Sequence, residues 1–144
     1  MKNLEVAIKT AAATVFGFYL KVHYFHLNST GPNFYEYHKL TDKIWKDVID
    51  SFDGISEEIR ALDMMAPASL LEFQQLSLLE DFTGTGEARA MLYELLLDND
   101  KVIEVLTEAN TLAGPHPGLQ NFLEGRIDAH EKVGWMIRSI VQGK

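Results

Sequence analysis

Five side chains able to bind iron-group metals lie within one stretch of the chain, at His26, His38, Asp42, Asp53 and Glu57. His38 and Asp42 are four residues apart, as are Asp53 and Glu57, so on a helix each pair lies on one face, a turn apart. The eleven residues from Asp42 to Asp53 span close to three turns, which places both pairs on the same face, roughly 16 Å apart. Mixed imidazole and carboxylate ligands favour iron, manganese or zinc over calcium or magnesium.

The distance between the two pairs predicts a partner chain, because one straight helix cannot hold a single metal ion with both. A second copy, related by a two-fold axis near residues 47 and 48, would bring the Asp53–Glu57 pair of one chain opposite the His38–Asp42 pair of the other. His26 could complete the set. The interface would be isologous, with two sites per dimer. Two pairs of acids on a solvated helix face are the alternative, and spacing alone leaves both interpretations open.

Hydrophobic periodicity predicts four long helices and a short one, and nothing in the sequence suggests strands. The ligand-bearing helix covers residues 33–62, where Asn33 followed by Glu36 has the pattern of a capping box. The other long helices cover residues 4–27, 87–113 and 119–141, and the Gly/Pro-rich segment 114–118 separates the last two. Ser69 followed by Glu72 repeats the capping pattern and predicts a short helix over 69–74.

Apolar residues at helical spacing predict which side chains face the core. They are Val6, Ala13, Phe16, Leu20 and Tyr24 in the first helix; Phe34, Tyr37, Leu40, Ile44, Val48, Phe52, Ile55, Ile59 and Leu62 in the second; Met91, Leu95, Val102, Val105, Leu106 and Leu112 in the third; and Phe122, Leu123, Ile127, Val133, Ile137 and Ile140 in the fourth. His130 lies on the last stripe and is interpreted as a hydrogen-bonded buried histidine. His23, one turn before His26, is interpreted as structural, with a hydrogen bond to a ligand as the alternative. Trp135 and Met136 are assigned to the core or an interface.

The connection between the second and third long helices sets the topology. A simple up-down bundle does not need about twenty residues there, whereas the ferritin-like bundle has one long crossover. The fold class is therefore all-α, a ferritin-like four-helix bundle with a short extra helix in the crossover, forming a single domain over residues 1–144. The Gly/Thr segment 83–86 lacks the Gly-Lys-Ser/Thr ending of a phosphate-binding loop.

At the candidate ligands the sequence resembles the Dps proteins, which are small ferritin-like shells. The family signature is His-Trp-Asn, Gly-Pro-x-Phe, His-x-x-x-Asp and Asp-x-x-x-Glu-Arg-Ile. The matching segments here are His26-Leu27-Asn28, Gly31-Pro32-Asn33-Phe34, His38 with Asp42, and Asp53 with Glu57. The resemblance continues through residues 66–69 to the last helix. It implies that His26, His38, Asp42, Asp53 and Glu57 form an iron-oxidising (ferroxidase) centre shared across a two-fold interface.

The chain departs from the family pattern in three places. Leu27 stands where the family has Trp, and Glu58 where it has Arg. Both changes leave the ligands intact but alter the groups around them, which tune metal affinity and orientation. The resemblance also implies acidic residues lining three-fold pores, but His116 and Asn121 occupy the corresponding positions.

Composition limits the partners. There are 13 Lys and Arg against 21 Asp and Glu, a net charge of −8, and no cysteine, which excludes disulfides and thiolate metal sites. DNA binding depends on basic residues that neutralise phosphates, and neither terminus carries a basic extension, so strong DNA binding is not expected. No segment has the length of a membrane span or the pattern of a signal peptide, and the expected location is the cytoplasm.

Together these observations predict an iron-oxidising and iron-storing mini-ferritin. By resemblance it assembles as a hollow dodecamer of two-fold dimers, uses hydrogen peroxide or dioxygen as oxidant, stores ferric mineral and protects against oxidative stress. Zinc or manganese could replace iron at the centre. Two alternatives remain: a DNA-binding shell in which metal chemistry is secondary, and a structural oligomer whose site binds zinc without turnover.

Overall fold

A computed structural model describes residues 3–82 and 86–143. Four long helices form the bundle: α1 (Leu4–Asn28), α2 (Phe34–Ala61), α4 (Ala88–Leu112) and α5 (Pro117–Val141). A short helix, α3 (Leu70–Leu76), lies in the connection between α2 and α4. The predicted all-α class and bundle with its crossover helix are confirmed. In the part of the chain that the structure describes, no helix combines the length and apolarity needed to cross a bilayer.

The prediction of no strands is wrong at one point. Two short strands, β1 (Ser29–Thr30) and β2 (Gly86–Glu87), pair in parallel, with Ser29 opposite Gly86 and Thr30 opposite Glu87. Two residues carry too little periodicity to be recognised in a sequence. The pairing shows that α2 and α4 both begin at the same end of the bundle. Because α2 ends at the opposite end, the chain between the two helices must run back along the length of the bundle. Of the Gly/Thr segment, residues 83–85 lie outside the described residues.

The start of α2 also differs from the prediction. Asn33 precedes the helix as expected, but its backbone is left-handed, with φ 65°, and its side chain makes no capping hydrogen bond. Gly31, with φ 112°, begins the turn, and the Phe34 amide donates to its carbonyl at 3.2 Å. Asn tolerates this conformation better than most residues. Asn33 therefore shapes a tight turn instead of capping the helix.

The core is continuous across the long helices, and its α1 side was partly mispredicted. Val6 and Leu20 are each 45% exposed, whereas Phe18, Val22 and Phe25 are buried. α1 is apolar on several sides, so its inward face could not be read from periodicity alone. In α5, Trp135 is 59% exposed and so does not belong to the chain's core.

Capping and aromatic contacts fix the crossover. The Ser69 hydroxyl accepts from the Glu72 amide at 3.2 Å and donates to the Glu72 carboxylate at 3.0 Å, as the capping pattern predicts. Phe73 of α3 stacks on Phe16 of α1 with ring centroids 4.2 Å apart, and Phe52 of α2 lies 5.2 Å from Phe16. α3 is thereby held over the α1–α2 pair near the second carboxylate pair.

A buried ion pair joins α1 to α4. The Lys21 ammonium lies 2.8 Å from Asp98 and 3.0 Å from Glu94, and both Lys21 and Asp98 are only 8% exposed. Burial lowers the pKa of Lys21, but the two carboxylates outweigh it and the pKa is raised. Burial raises the pKa of Asp98 despite its lysine partner. Both charges therefore depend on each other for their stability inside the bundle.

Replacing Lys21 with Met leaves Asp98 buried without its cation, so we expect a loss of about 3–5 kcal/mol in unfolding free energy at pH 8. The loss shrinks toward pH 5, because Asp98 takes up a proton in the folded state more readily than in the unfolded chain. Urea unfolding at fixed protein concentration measures the loss in unfolding free energy at pH 8 and at pH 5. Lys21→Met/Asp98→Leu removes both charges and should recover most of the loss, whereas Lys9→Met, in an exposed pair with Glu5, should cost under about 1 kcal/mol. A single-variant loss below that of Lys9→Met would contradict the argument.

His130 joins α5 to α4. Its Nδ1 lies 2.8 Å from the Asn99 side-chain oxygen, and the Asn99 amide donates to the His130 carbonyl at 2.8 Å. Gly134 allows this approach, because a Cβ there would lie 3.3 Å from the Asn99 amide nitrogen. The predicted buried, hydrogen-bonded histidine is found, but only half of it is satisfied, since Nε2 has no partner among the described residues. Burial, aided by the nearby Arg126 cation, lowers the pKa of His130 to about 3.

The low pKa of His130 predicts a specific loss of stability in acid. An unfolded histidine titrates near 6.5, so below that pH the unfolded chain binds a proton that the folded chain does not. We expect this group to cost about 2 kcal/mol by pH 5 and more toward pH 3. In urea unfolding between pH 7 and 5, His130→Gln should reduce the pH dependence of the unfolding free energy by that amount. Ile137→Val, also in the α5 core, should shift stability equally at every pH; an unchanged slope in His130→Gln would refute the assignment.

Candidate metal centre

The last turn of α1 and the first turns of α2 bring His26 and His38 together. Their rings stack with centroids 3.8 Å apart and an interplanar angle of 17°. Each ring bonds the backbone of the other residue: His26 Nδ1 lies 2.9 Å from the His38 carbonyl oxygen, and His38 Nδ1 lies 2.8 Å from the His26 carbonyl oxygen. This pair of reciprocal contacts is called the histidine clamp below.

The clamp determines which nitrogen of each ring is free. A carbonyl oxygen can only accept a hydrogen bond, so each Nδ1 must carry the proton and donate it. In a neutral ring the lone pair is then on Nε2, the arrangement of a metal-binding histidine whose other nitrogen is held by a backbone carbonyl. Burial lowers the pKa of His26, which favours the neutral, ligand-competent ring.

Asp42 lies next to the clamp on α2. One carboxylate oxygen, Oδ1, is 3.9 Å from His26 Nε2, and the other accepts from the Lys46 ammonium at 2.8 Å. The hydrogen bond from Lys46 holds the pKa of Asp42 below its ordinary value, so the group is ionised at neutral pH. Two lone-pair atoms 3.9 Å apart are within reach of one ion with bonds of roughly 2.1 Å to each.

The second carboxylate pair stands apart from these three residues. Asp53 and Glu57 are exposed on α2, about three turns beyond Asp42. Within the described parts of one chain, no three or more His, Cys, Asp or Glu side chains converge as a metal site. The structure therefore brings His26, His38 and Asp42 close to one another and leaves Asp53 and Glu57 on the same helix but out of their reach.

An aromatic group packs beside the clamp. His23 stacks on Trp45 of α2, with centroids 4.3 Å apart at 15°, and its Nδ1 lies 3.2 Å from the Tyr19 hydroxyl. His23 therefore has its own partners, which agrees with the structural interpretation. Leu27, where the family has Trp, is 63% exposed. Trp45 instead provides an indole near His26, at a centroid distance of 6.2 Å.

Sequence reasoning missed one residue at the clamp. Thr41 is 3% exposed, and its hydroxyl lies 3.1 Å from His26 Nδ1. The signal available was its position three residues after His38 and immediately before Asp42, on the side of α2 that faces α1. A threonine there looks like an ordinary helix residue unless the contact with His26 is known.

The α4–α5 turn bears the two predicted pore positions. His116 is the residue before α5 and makes no side-chain capping hydrogen bond, and Asn121 is exposed on the first turns of that helix. The predicted stop at 114–118 is too long, because Pro117 and Gly118 already belong to α5. Pro fits the first helical position, where its missing N–H costs nothing.

Comparison with known proteins identifies the family. The ferritin-like domain family matches residues 6–143. The DNA protection during starvation protein of Helicobacter pylori is 30% identical over 104 residues, covering 72% of each chain. The chain belongs to the Dps family. The resemblance stated from the ligand motifs is thereby confirmed, while the metal-binding role of the five residues stays a prediction.

Solved structures agree with the Dps fold. Dps from Staphylococcus aureus superposes with a TM-score of 0.91 at 23% identity, covering 98% of both chains. A Dps protein from Vibrio cholerae, described as a member of a broad superfamily of ferritin-like diiron-carboxylate proteins, superposes with a TM-score of 0.91 at 21% identity, covering 96% of this chain and 88% of that one. At these identities the likeness establishes the fold alone.

Proposed function

We propose that this Dps-family protein is an iron-oxidising, iron-storing mini-ferritin. Fe²⁺, as substrate, binds His26, His38 and Asp42 of one chain together with Asp53 and Glu57 of a two-fold partner. The histidine clamp carries the proposal, because it leaves both Nε2 lone pairs free beside an ionised carboxylate. Iron accepts this mixture of imidazole and carboxylate ligands, and manganese or zinc could occupy the same site.

The bundle interior supports a site between chains. Ferritin-like carboxylate proteins that bind metal inside one bundle use Glu residues and Glu-x-x-His motifs that project inward. The sequence contains no Glu-x-x-His motif. Among the described residues, the buried acid Asp98 is paired with Lys21, and the buried imidazole His130 is bonded to Asn99. These interior groups bond each other except at His130 Nε2, and among the described residues of one chain they form no group of three metal ligands. The α2 ligands, by contrast, are half-exposed or exposed.

Exposed apolar side chains near α3 support a partner on this side of the molecule. Leu70, Leu71 and Leu20 are 81%, 62% and 45% exposed. Leu20 and Leu70 line an open groove of about 460 Å³ whose walls include Phe16 and Phe73. Phe16 also contacts Phe52, the α2 residue before Asp53, with ring centroids 5.2 Å apart. A contiguous apolar patch of this kind is typical of an interaction site, and a second copy would cover it while completing the metal ligands.

The reaction that these ligands suit is oxidation of two Fe²⁺ by one hydrogen peroxide. Each iron gives one electron, the O–O bond breaks, and two protons from solvent complete two water molecules: 2 Fe²⁺ + H₂O₂ + 2 H⁺ → 2 Fe³⁺ + 2 H₂O. The carboxylates balance the increased charge of the product, and the clamped imidazoles hold position during the change. Dioxygen is the alternative oxidant. Ferric iron would then be stored as mineral inside a dodecameric shell in the cytoplasm, which limits oxidative stress.

Iron loading tests the proposal. Adding Fe²⁺ anaerobically and then peroxide should give rapid ferric absorbance, with iron eluting with the protein at shell size. We expect Asp53→Ala to slow oxidation by roughly tenfold or more, because it removes the partner's ligand from both sites of a dimer. Asp50→Ala, an exposed acid on the same helix outside the ligand set, should load normally. Oxidation no faster than in buffer would favour a structural oligomer, as would zinc bound without turnover.

A DNA-binding assay distinguishes the proposed iron-storing protein from the second candidate function, a DNA-binding shell. The Helicobacter relative is named for DNA protection, but this chain has a net charge of −8 and an acidic pI near 5.0. Since affinity for DNA comes chiefly from phosphate neutralisation, we expect no retarded band in a gel shift at 150 mM salt, and at most a weak one at low salt. A stable complex at 150 mM salt would favour the DNA-binding shell.

A further inference from the structure

The hydroxyl of Thr41 is placed where α1 and α2 meet at the metal ligands. Its oxygen lies 2.8 Å from the Tyr37 carbonyl oxygen, 3.1 Å from the His38 carbonyl oxygen and 3.1 Å from His26 Nδ1. Thr41 itself is 3% exposed. Its neighbours in the small space around it include Phe25 and Ala88.

The donors and acceptors available on each group give the direction of the hydrogen bonds around the Thr41 hydroxyl. A hydroxyl has one hydrogen and two lone pairs. His26 Nδ1 is a donor when its proton faces the His38 carbonyl, and the carbonyls of Tyr37 and His38 are acceptors only. The hydroxyl hydrogen then points to one of these carbonyls, and the 2.8 Å contact makes Tyr37 the better partner. The hydroxyl lone pair then faces His26 Nδ1, which also faces the His38 carbonyl at 2.9 Å. His26 Nδ1 thus has two acceptors and no donor opposite it.

We propose that Thr41 is a positioning residue that, together with the His38 carbonyl, holds the proton of His26 on Nδ1 and so presents Nε2 to the metal. The proposal deepens the proposed function and rests on it for the identity of the site. A neutral His26 with its proton on Nε2 would place its Nδ1 lone pair against the His38 carbonyl oxygen. The Thr41 hydroxyl could donate to that lone pair only by giving up its hydrogen bond to Tyr37. The ring would also turn an N–H toward Asp42 and the metal position. Thr41 makes that alternative less stable and also limits rotation of the ring.

The alternative role for Thr41 is local to α2, since threonine hydroxyls often bond the carbonyl one turn back in a helix. That role would need only the contact with Tyr37 and would not affect the tautomer of His26. The two roles therefore differ in a property that can be measured in the metal-free protein.

The experiment compares the wild-type protein with Thr41→Val, which keeps the shape and loses the hydroxyl, and Thr41→Ser, which keeps the hydroxyl. Solid-state ¹⁵N spectra of histidine-labelled, metal-free protein at pH 8 show which ring nitrogen carries the proton. Such spectra do not depend on assembly size, and the spectrum of His26→Gln assigns the His26 signals. Titration with Co²⁺, followed by its visible absorbance, then measures affinity at the site.

We expect wild type and Thr41→Ser to show only the Nδ1–H form of His26, and Thr41→Val to show a measurable fraction of the Nε2–H form with roughly tenfold weaker Co²⁺ binding. If Thr41→Val does not assemble, Thr41→Ala provides the same loss of the hydroxyl. Identical spectra and affinities in wild type and the variant lacking the hydroxyl would overturn the inference. Wild type that fails to bind Co²⁺ would instead overturn the proposed function, while the tautomer result would stand by itself.

Discussion

The histidine clamp is the contact on which the candidate centre depends. The last four carbonyls of a helix have no amide partner within it, and the His26 carbonyl is one of these in α1. The His38 ring satisfies it from α2, while the His26 ring bonds the His38 carbonyl in return. One pair of hydrogen bonds therefore ends a helix, fixes the angle between two helices and selects the nitrogen that each ring offers to a metal.

The turn between α1 and α2 holds the two histidine rings in this arrangement. Left-handed backbone at Gly31 and Asn33 reverses the chain within a few residues, so His26 and His38 can stack although twelve positions separate them. The β1–β2 pairing then ties the turn to the start of α4. Because α4 is joined to α1 by the buried Lys21–Asp98 pair, the ligand end of the α1–α2 hairpin is connected to the rest of the bundle at two levels.

The sequence predicted the parts of this arrangement that depend on period and motif. The long helices, the crossover and the spacing of the five candidate ligands follow from regular repeats and from the Dps signature. It did not predict the left-handed Asn33, the strands or the contact of Thr41 with His26, because each depends on how two separate segments meet. The misassigned Val6 and Leu20 have the same origin: an α1 apolar on several sides gives no single inward face, and only its neighbours decide which side is buried.

The division of polar groups between the interior and α2 agrees with the proposed site between two chains. Inside the bundle, Lys21 with Asp98 and Asn99 with His130 neutralise or bond each other, which is what burial of polar groups demands. Apart from His130 Nε2, groups paired in this way have little left to offer a metal ion. The Nε2 atoms of the clamp and the exposed carboxylates of Asp53 and Glu57 have no hydrogen-bond partner among the described residues, so they are available to a ligand from outside the chain. If the proposed site is assembled from both pairs at a two-fold axis, it forms only in the oligomer, and iron oxidation would then depend on assembly.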